Sequence, residues 1–296
     1  MNLHQLNCFT VLAEVLHYTE AAKRLYISQP SLSYAISELE KELGVELFYR
    51  QGNRIVLTKY GEALLPYAEK TLLTVQRGVR AIQNLKALSP SISLGYIYSI
   101  SGVLSEMIRG FKQHRKDNDI TVSFYQGLDE HIMDKLRKGE VDLAISTSSG
   151  GHSVAASPLF RQALYLAVPS DHPLAQREEV SIHELKDEKF VSITPESSLR
   201  GFINEAFQRA GYTPNIVFEA EECNAMASFV GSHFGVAIMP RIPGVDSYPI
   251  TLLKIKEMSL TRQIYLLWME NEPLPAECET FKDYILTKHK FPEDPV

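Results

Sequence analysis

The sequence is poor in cysteine, with Cys8, Cys223 and Cys278 among 296 residues. An odd number of widely spaced thiols with no CxxC pair argues against a disulfide framework and a thiolate metal centre. Long apolar runs are missing as well: none approaches the ~18 residues of a membrane-spanning helix. The opening M-N-L-H-Q-L-N-C-F lacks a basic segment followed by an apolar core, so no secretory leader is expected. The chain is expected to be cytoplasmic, with no membrane partner. No G-x-G-x-x-G, P-loop, H-E-x-x-H or G-x-S-x-G occurs, and the nine histidines are scattered. The motif-based enzyme classes therefore find no support, and no catalytic residue, metal or cofactor is expected. Excess positive charge is absent too: 30 Lys and Arg face 36 Asp and Glu, a net charge of −6. That balance argues against a protein that coats nucleic acid indiscriminately.

What is present is an ordinary globular composition, 45% hydrophobic and 22% charged, on a chain long enough for two or three compact units. The stretch from Tyr18 to Thr58 organises the rest. Thr19 is a good N-cap, followed by helix formers up to Leu25. Ser28 is a second N-cap, with Pro30 in the first turn, where a missing N–H is tolerated. Leu32, Ile36, Leu39 and Leu43 then recur at 4, 3 and 4, one packed helical stripe, which Gly44 closes. The small pair Ala21 and Ala22 lets the first helix cross the second closely, as in a helix-turn-helix. With that stripe facing inward, Gln29, Ser31, Ser33, Tyr34 and Ser37 face outward. Hydroxyls, an amide and a phenol at an exposed helix start suit base edges and phosphates. After Gly44, two apolar runs flank Gln51-Gly52-Asn53 as in a hairpin. They carry Arg50 and Arg54 with no acid between Glu46 and Glu62. That is a basic wing beside a recognition helix. From Met1 to Lys59 six acids balance six bases, so the module is neutral overall and its nonspecific affinity should be modest. Leu3 to Leu16, with Leu6, Phe9, Ala13 and Leu16 at 3, 4 and 3, reads as the helix that completes the core, and Cys8 as a small buried hydrophobe.

These residues resemble the winged-helix N-terminus of the LysR-type transcriptional regulators. The match runs through A-A-K-R-L-Y-I-S-Q-P-S-L-S, I-S-E-L-E-K-E-L-G-V-E-L-F-Y-R and R-I-V-L-T-K-Y-G-E-A-L-L. Many members carry arginine where this chain has Tyr34. The expected DNA-contacting set is Thr19, Ser28, Gln29, Pro30, Ser31, Ser33, Tyr34, Ser37, Arg50 and Arg54. Thr58 caps a long helix running to about Leu88, with Pro66 near its start. Its Leu65, Ala68, Leu72, Val75, Val79 and Ile82 are spaced 3, 4, 3, 4 and 3, a heptad seam on a rod of ~45 Å. The resemblance implies the family's linker helix, pairing two subunits along those residues.

Beyond Ser91 short β-rich runs alternate with helical ones. Strands are expected at 92–96, 120–126, 141–146, 190–194, 216–220 and 236–239, and helices at 103–115, 130–138, 198–210 and 225–233. Alternation of this kind gives parallel sheets with crevices at the strands' C-terminal ends. The segments L-R-K-G-E-V-D-L-A-I, L-Y-L-A-V-P-S-D-H-P-L-A and F-G-V-A-I-M-P resemble the family's effector domain. That implies two α/β lobes of periplasmic-binding-protein type, joined by crossing strands near 161–168 and 261–268. The expected architecture is α+β and multidomain: a winged helix-turn-helix over 1–58, a linker helix over 59–88 and an effector domain over 91–296. Lobe one would take 91–160 and 269–296, including a C-terminal helix over 275–290, and lobe two 161–268. Ser99, Ser101, Ser146, Thr147 and Thr194 lie where strands end and helices begin, and hydroxyls with free amides there suit a small anion. Arg200, one turn into its helix, is the nominated nearby cation. The resemblance places Ser99, Ser101, Leu128, Thr147 and Thr194 at effector-lining positions, Leu128 replacing a small polar residue. Cys223 lies beside the acidic Glu219-Ala-Glu-Glu222, which raises a thiol's pKa and argues against a redox sensor.

The expected function is a sequence-specific regulator of transcription initiation. Its expected partners are double-stranded promoter DNA, a small organic acid between the lobes, further copies of itself as homodimer or homotetramer, and RNA polymerase. A small-molecule binding or transport protein, which a two-lobed domain alone would allow, is disfavoured by the winged module and the missing leader. An enzyme with a DNA-binding appendage is disfavoured because nothing places a nucleophile or a metal.

Overall fold

The structure is a computed structural model and describes residues 1–52, 54–86, 91–115, 120–151, 153–256 and 261–291. The turn residue Asn53, the expected rod end at Leu88 and the tail beyond 291 lie outside these. The chain divides into two compact units, Met1–Lys86 and Ala87–Val296.

The first unit contains α1 (Leu3–Val15), α2 (Tyr18–Arg24), α3 (Gln29–Leu43), the hairpin β1 (Phe48–Gln51) and β2 (Arg54–Leu57), and α4 (Lys59–Lys86). Asn2 starts α1 through a capping box with Gln5. The helix ends at Leu16, left-handed at φ 52 and 39% exposed, so the core contacts of α1 end with Ala13 and the partly buried Val15 rather than with Leu16. α2 starts two residues earlier than expected: the His17 ring accepts from the Glu20 amide, and Thr19 sits exposed inside the first turn. α3 begins as expected, the Ser28 hydroxyl accepting from the Ser31 amide at 3.2 Å, and closes at Gly44, whose φ of 69 suits a residue without Cβ. Leu32, Ile36 and Leu39 are buried, whereas Leu43 is 39% exposed because the core stops one turn short of the helix end. Phe9 packs against Phe48 at 5.5 Å, joining α1 to the wing. The Thr58 hydroxyl accepts from the amides of Tyr60 and Gly61, starting α4. A Cβ on Gly61 would lie 2.3 Å from the Leu47 carbonyl, so only glycine lets this helix rest on the foot of the wing.

The seam on α4 is split. Ala68 is 1% exposed, and Leu65 and Leu72 pack on the core of their own winged module. Val75, Val79 and Ile82 are 40%, 52% and 57% exposed. Thus the first three apolar positions have an intrachain role that the heptad spacing alone did not reveal, and only the last three form an uncovered stripe.

In the second unit the elements are β3 (Ser91–Ile97), α5 (Ser101–Arg115), β4 (Thr121–Gly127), α6 (Asp129–Arg137), β5 (Leu143–Ser146), β6 (Val154–Pro169), β7 (Glu179–Val180), β8 (Lys189–Ile193), α7 (Ser198–Arg209), β9 (Asn215–Ala220), α8 (Cys223–Gly231), β10 (Ala237–Pro240), β11 (Ile250–Ile255), β12 (Thr261–Met269) and α9 (Ala276–Thr287). β4, β3 and β5 are parallel, as are β8 and β9, in keeping with the strand–helix alternation. The crossing strands are longer than expected. β6 pairs antiparallel with β12 along its first two-thirds and with β10 and β11 along its last third. One ladder therefore runs β4-β3-β5-β12-β6-β11-β7 through both lobes. Each lobe keeps its own core: one around Ile92, Phe111, Leu266 and Phe281, the other around Leu166, Phe190, Phe207 and Val230. β11 completes the second lobe and was not anticipated.

Candidate nucleic-acid interface and effector crevice

Capping by Ser28 turns the first turn of α3 outward, leaving Gln29, Pro30, Ser31 and Ser37 exposed and Ser33 half-buried. Tyr34 is 69% exposed. The row is tied by its own hydrogen bonds: Gln29 donates to the Ser33 hydroxyl at 3.0 Å, and the Ser28 and Ser31 hydroxyls share a 2.7 Å hydrogen bond. Tyr26, unremarked in the sequence, occupies the turn before α3 at φ 55 with its ring 95% exposed. A left-handed tyrosine is uncommon, and here it projects a free aromatic beside the helix start. On the wing Arg50 pairs in register with Ile55, and Gln51 with Arg54. Both arginines are exposed, and neither makes an ion pair among the described residues. Glu40, on the opposite half of α3, accepts from the Leu47 and Phe48 amides and so ties recognition helix to wing.

In the second unit two polar clusters flank one crevice. The first surrounds Asp129 at the start of α6. Its Oδ1 accepts from the Ser146 hydroxyl, from the Thr147 amide at 3.0 Å and from the Thr147 hydroxyl at 2.7 Å. Its Oδ2 accepts from the hydroxyl of Ser198, the first residue of α7 in the other lobe, which also lies 3.1 Å from the Thr147 hydroxyl. Burial pushes this carboxyl's pKa up, but the bonds from Ser146, Ser198 and Thr147 outweigh it and hold the pKa below the usual carboxylate range. The second cluster is the buried trio Ser99, Gln162 and Arg262. Arg262 donates through Nε to Gln162 Oε1 at 3.0 Å, and through Nη2 to the same oxygen at 2.8 Å and to the Ser99 hydroxyl at 2.5 Å. Gln162 returns a bond to the Ser99 carbonyl at 2.9 Å. Burial lowers the Arg262 pKa, with Asp129 and Cys223 acting in the opposite sense.

Tyr98, Ser99, Leu128, Asp129, Ser198 and Arg262 line this crevice. Of the anticipated effector-lining residues, Ser99 and Leu128 reach the crevice lining, and Ser146 and Thr147 reach it through Asp129. Ser101 and Thr194 are outside the lining. Arg200 is outside it too, held by Glu219 at 2.9 Å and by the Ile193 carbonyl at 2.7 Å. Asp129, Gln162, Ser198 and Arg262 were missed. A signal existed for two of them: Arg161-Gln162 and Arg262-Gln263 repeat one dipeptide within otherwise apolar crossing strands, and the register sets Arg262 opposite Gln162. Cys223 also lines the crevice but is 5% exposed, and burial, more than its acidic neighbours, pushes its thiol up to about 11. At neutral pH that thiol is protonated and a poor nucleophile. Among the described residues no group of His, Cys, Asp and Glu could hold a metal, and no helix is long and apolar enough to cross a membrane.

A winged helix-turn-helix with a long helix behind it, in one chain with a two-lobed unit around a polar crevice, defines a ligand-responsive DNA-binding regulator. Two family models match: the bacterial regulatory helix-turn-helix protein of the lysR family over residues 3–62, and the LysR substrate binding domain over residues 86–290. The chain belongs to the LysR family of transcriptional regulators. It is 34% identical to the uncharacterized HTH-type transcriptional regulator YybE of Bacillus subtilis, covering 97% of this chain and 99% of that one. The effector binding domain of QuiR, solved in complex with shikimate, aligns with a TM-score of 0.63 at 30% identity, covering 67% of this chain and 96% of that one. A full-length OxyR variant from Pseudomonas aeruginosa aligns with a TM-score of 0.61 at 26% identity, covering 97% of this chain and 95% of that one.

Proposed function

We infer that the protein is a cytoplasmic, metabolite-responsive regulator of transcription initiation, switched by a small organic acid held between the lobes of its effector unit. The observation that carries this reading is the buried Arg262–Ser99–Gln162 cluster opening on an interlobe crevice. A buried guanidinium whose direct hydrogen-bond partners, Gln162 and Ser99, are neutral favours an anionic ligand. QuiR's complex with shikimate, itself an acid, supports the class. The exposed row on α3 reads the promoter, and Arg50 and Arg54 hold the phosphates. The uncovered stripe of Val75, Val79 and Ile82 pairs two copies, so that two modules engage two half-sites. The ligand changes the equilibrium between lobe arrangements by its differential affinity for them, and the oligomer passes the change to the spacing of the modules.

The test is a metabolite screen by thermal shift on the full chain, followed by operator titration with each stabilising compound. A ligand at ~100 times its dissociation constant stabilises by ~2.7 kcal/mol. Ser99→Val should reduce the shift and leave ligand-free DNA affinity near the parent's. A stabilising acid whose shift survives Ser99→Val binds elsewhere, and the interlobe reading is then abandoned.

A further inference from the structure

The anticipated anion site at the strand ends is already filled by the chain itself. The Ser146 hydroxyl, both donors of Thr147 and the Ser198 hydroxyl all point at Asp129, which stands where a ligand carboxylate was expected. A second acid approaching those donors would meet a charge of its own sign. The donor left over belongs to Arg262, in the same lining. Arg262 is 6% exposed, and its Nη1 has no partner among the described residues. Arg262 is itself part of the crevice lining. Asp129 in turn retains acceptor capacity, since Oδ2 accepts only from Ser198. Exposed Glu221 adds a second acid to the same lining. The crevice lining therefore carries both a cation and acids.

From this arrangement the geometry points to a dipolar effector: a small monoacid whose carboxylate meets Arg262 and Ser99 and whose ammonium or hydroxyl group donates to Asp129. This rests on the interlobe reading above and narrows it. Plain alkanoates leave Asp129 unanswered, and diacids face it with like charge, so Asp129 selects amino and hydroxy acids over both. The hydrogen bond it accepts is charge-assisted, a class that changes affinity by about tenfold or more.

The experiment is equilibrium binding, by calorimetry and thermal shift, of the full chain to short ω-amino acids, ω-hydroxy acids, n-alkanoates and α,ω-diacids of matched lengths. The parent should bind the best amino or hydroxy acid at least about tenfold tighter than the matched alkanoate, with the diacid weakest. Asp129→Asn should bring that ratio to within about threefold and raise diacid affinity, because the like charge is gone. Arg262→Lys, which keeps a cation in the fold, should weaken all acids together without altering their order. Equal affinity for alkanoate and amino acid in the parent, a ratio unchanged in Asp129→Asn, or no binding anywhere in the series overturns the dipolar assignment alone. Binding that both Arg262→Lys and Asp129→Asn leave untouched overturns the interlobe reading with it.

Discussion

Removing Glu40 is expected to unfasten the wing from the recognition helix. One carboxylate oxygen accepts from two successive amides, Leu47 at 2.7 Å and Phe48 at 3.2 Å. Those residues are 1% and 7% exposed, so replacement water reaches their amides poorly once the carboxylate is gone. Hydrogen bonds to a charged acceptor contribute ~1.5–3 kcal/mol each, and the half-buried position of Glu40 favours the low end. Glu40→Ala should therefore destabilise the first unit by ~3 kcal/mol, whereas Glu40→Gln, which keeps an oxygen in place, should cost ~1 kcal/mol. A whole-chain melting curve would mix the two units. Amide exchange of α1 to α3 in the intact protein reads the first unit alone. It should accelerate ~100-fold in Glu40→Ala and ~5-fold in Glu40→Gln. Exchange unchanged in Glu40→Ala, or equal in the two variants, would refute the tether.

Arg50→Ala should weaken binding to all duplexes and lower the salt slope by about one, while Gln29→Ala or Ser33→Ala should alter discrimination between sites by ~1–3 kcal/mol; a titration with affinity and slope both unchanged in Arg50→Ala removes the wing from the interface. Val75→Asp with Val79→Asp places two charges on the uncovered stripe, where a partner helix would bury them without counter-ions. Sedimentation should then show a smaller assembly, and a mass equal to the parent's rejects that stripe as the contact. The depressed pKa of Asp129 means that the folded chain binds fewer protons there than the unfolded chain. The stabilisation is full above the ordinary carboxylate value of ~3.9 and is lost as pH falls through the lower folded value. The stability gap between the parent and Asp129→Asn, read by urea unfolding across pH 3 to 7 through the fluorescence of Trp268 in the second unit, should narrow toward the acid end, and a pH-independent gap contradicts the charge-based account.

The helices and parallel strands were legible because their signals are local: the stripe of Leu32, Ile36 and Leu39 needs only its own spacing, and the cap at Ser28 only the next three residues. The misassignments lie where a local pattern has two tertiary solutions. Leu16 and Leu43 continue the spacing of their helices, but whether the last turn is covered depends on where a neighbouring element stops. The heptad spacing on α4 serves its own module at Ala68 and is left uncovered at Val79, and one periodic string cannot say where the change falls.

The crevice shows the same limit in chemical form. Clustered hydroxyls at strand ends announce an anion, and that inference from Ser146 and Thr147 was chemically sound. What sequence spacing could not supply was the anion's source, because Asp129 meets Ser146 and Ser198 across separations of 17 and 69 residues. Arg262 meets Ser99 across 163. Such pairings follow from the tertiary arrangement of the elements, not from spacing along the chain. Yet the polar residues themselves were visible. Gln162 and Arg262 are polar residues within largely apolar strands, and a buried polar group must find a partner or lose stability. A guanidinium embedded in a crossing strand is therefore a question the sequence poses, and the antiparallel register of β6 and β12 answers most of it with Gln162. The nitrogen left over is the group that the proposed effector would meet.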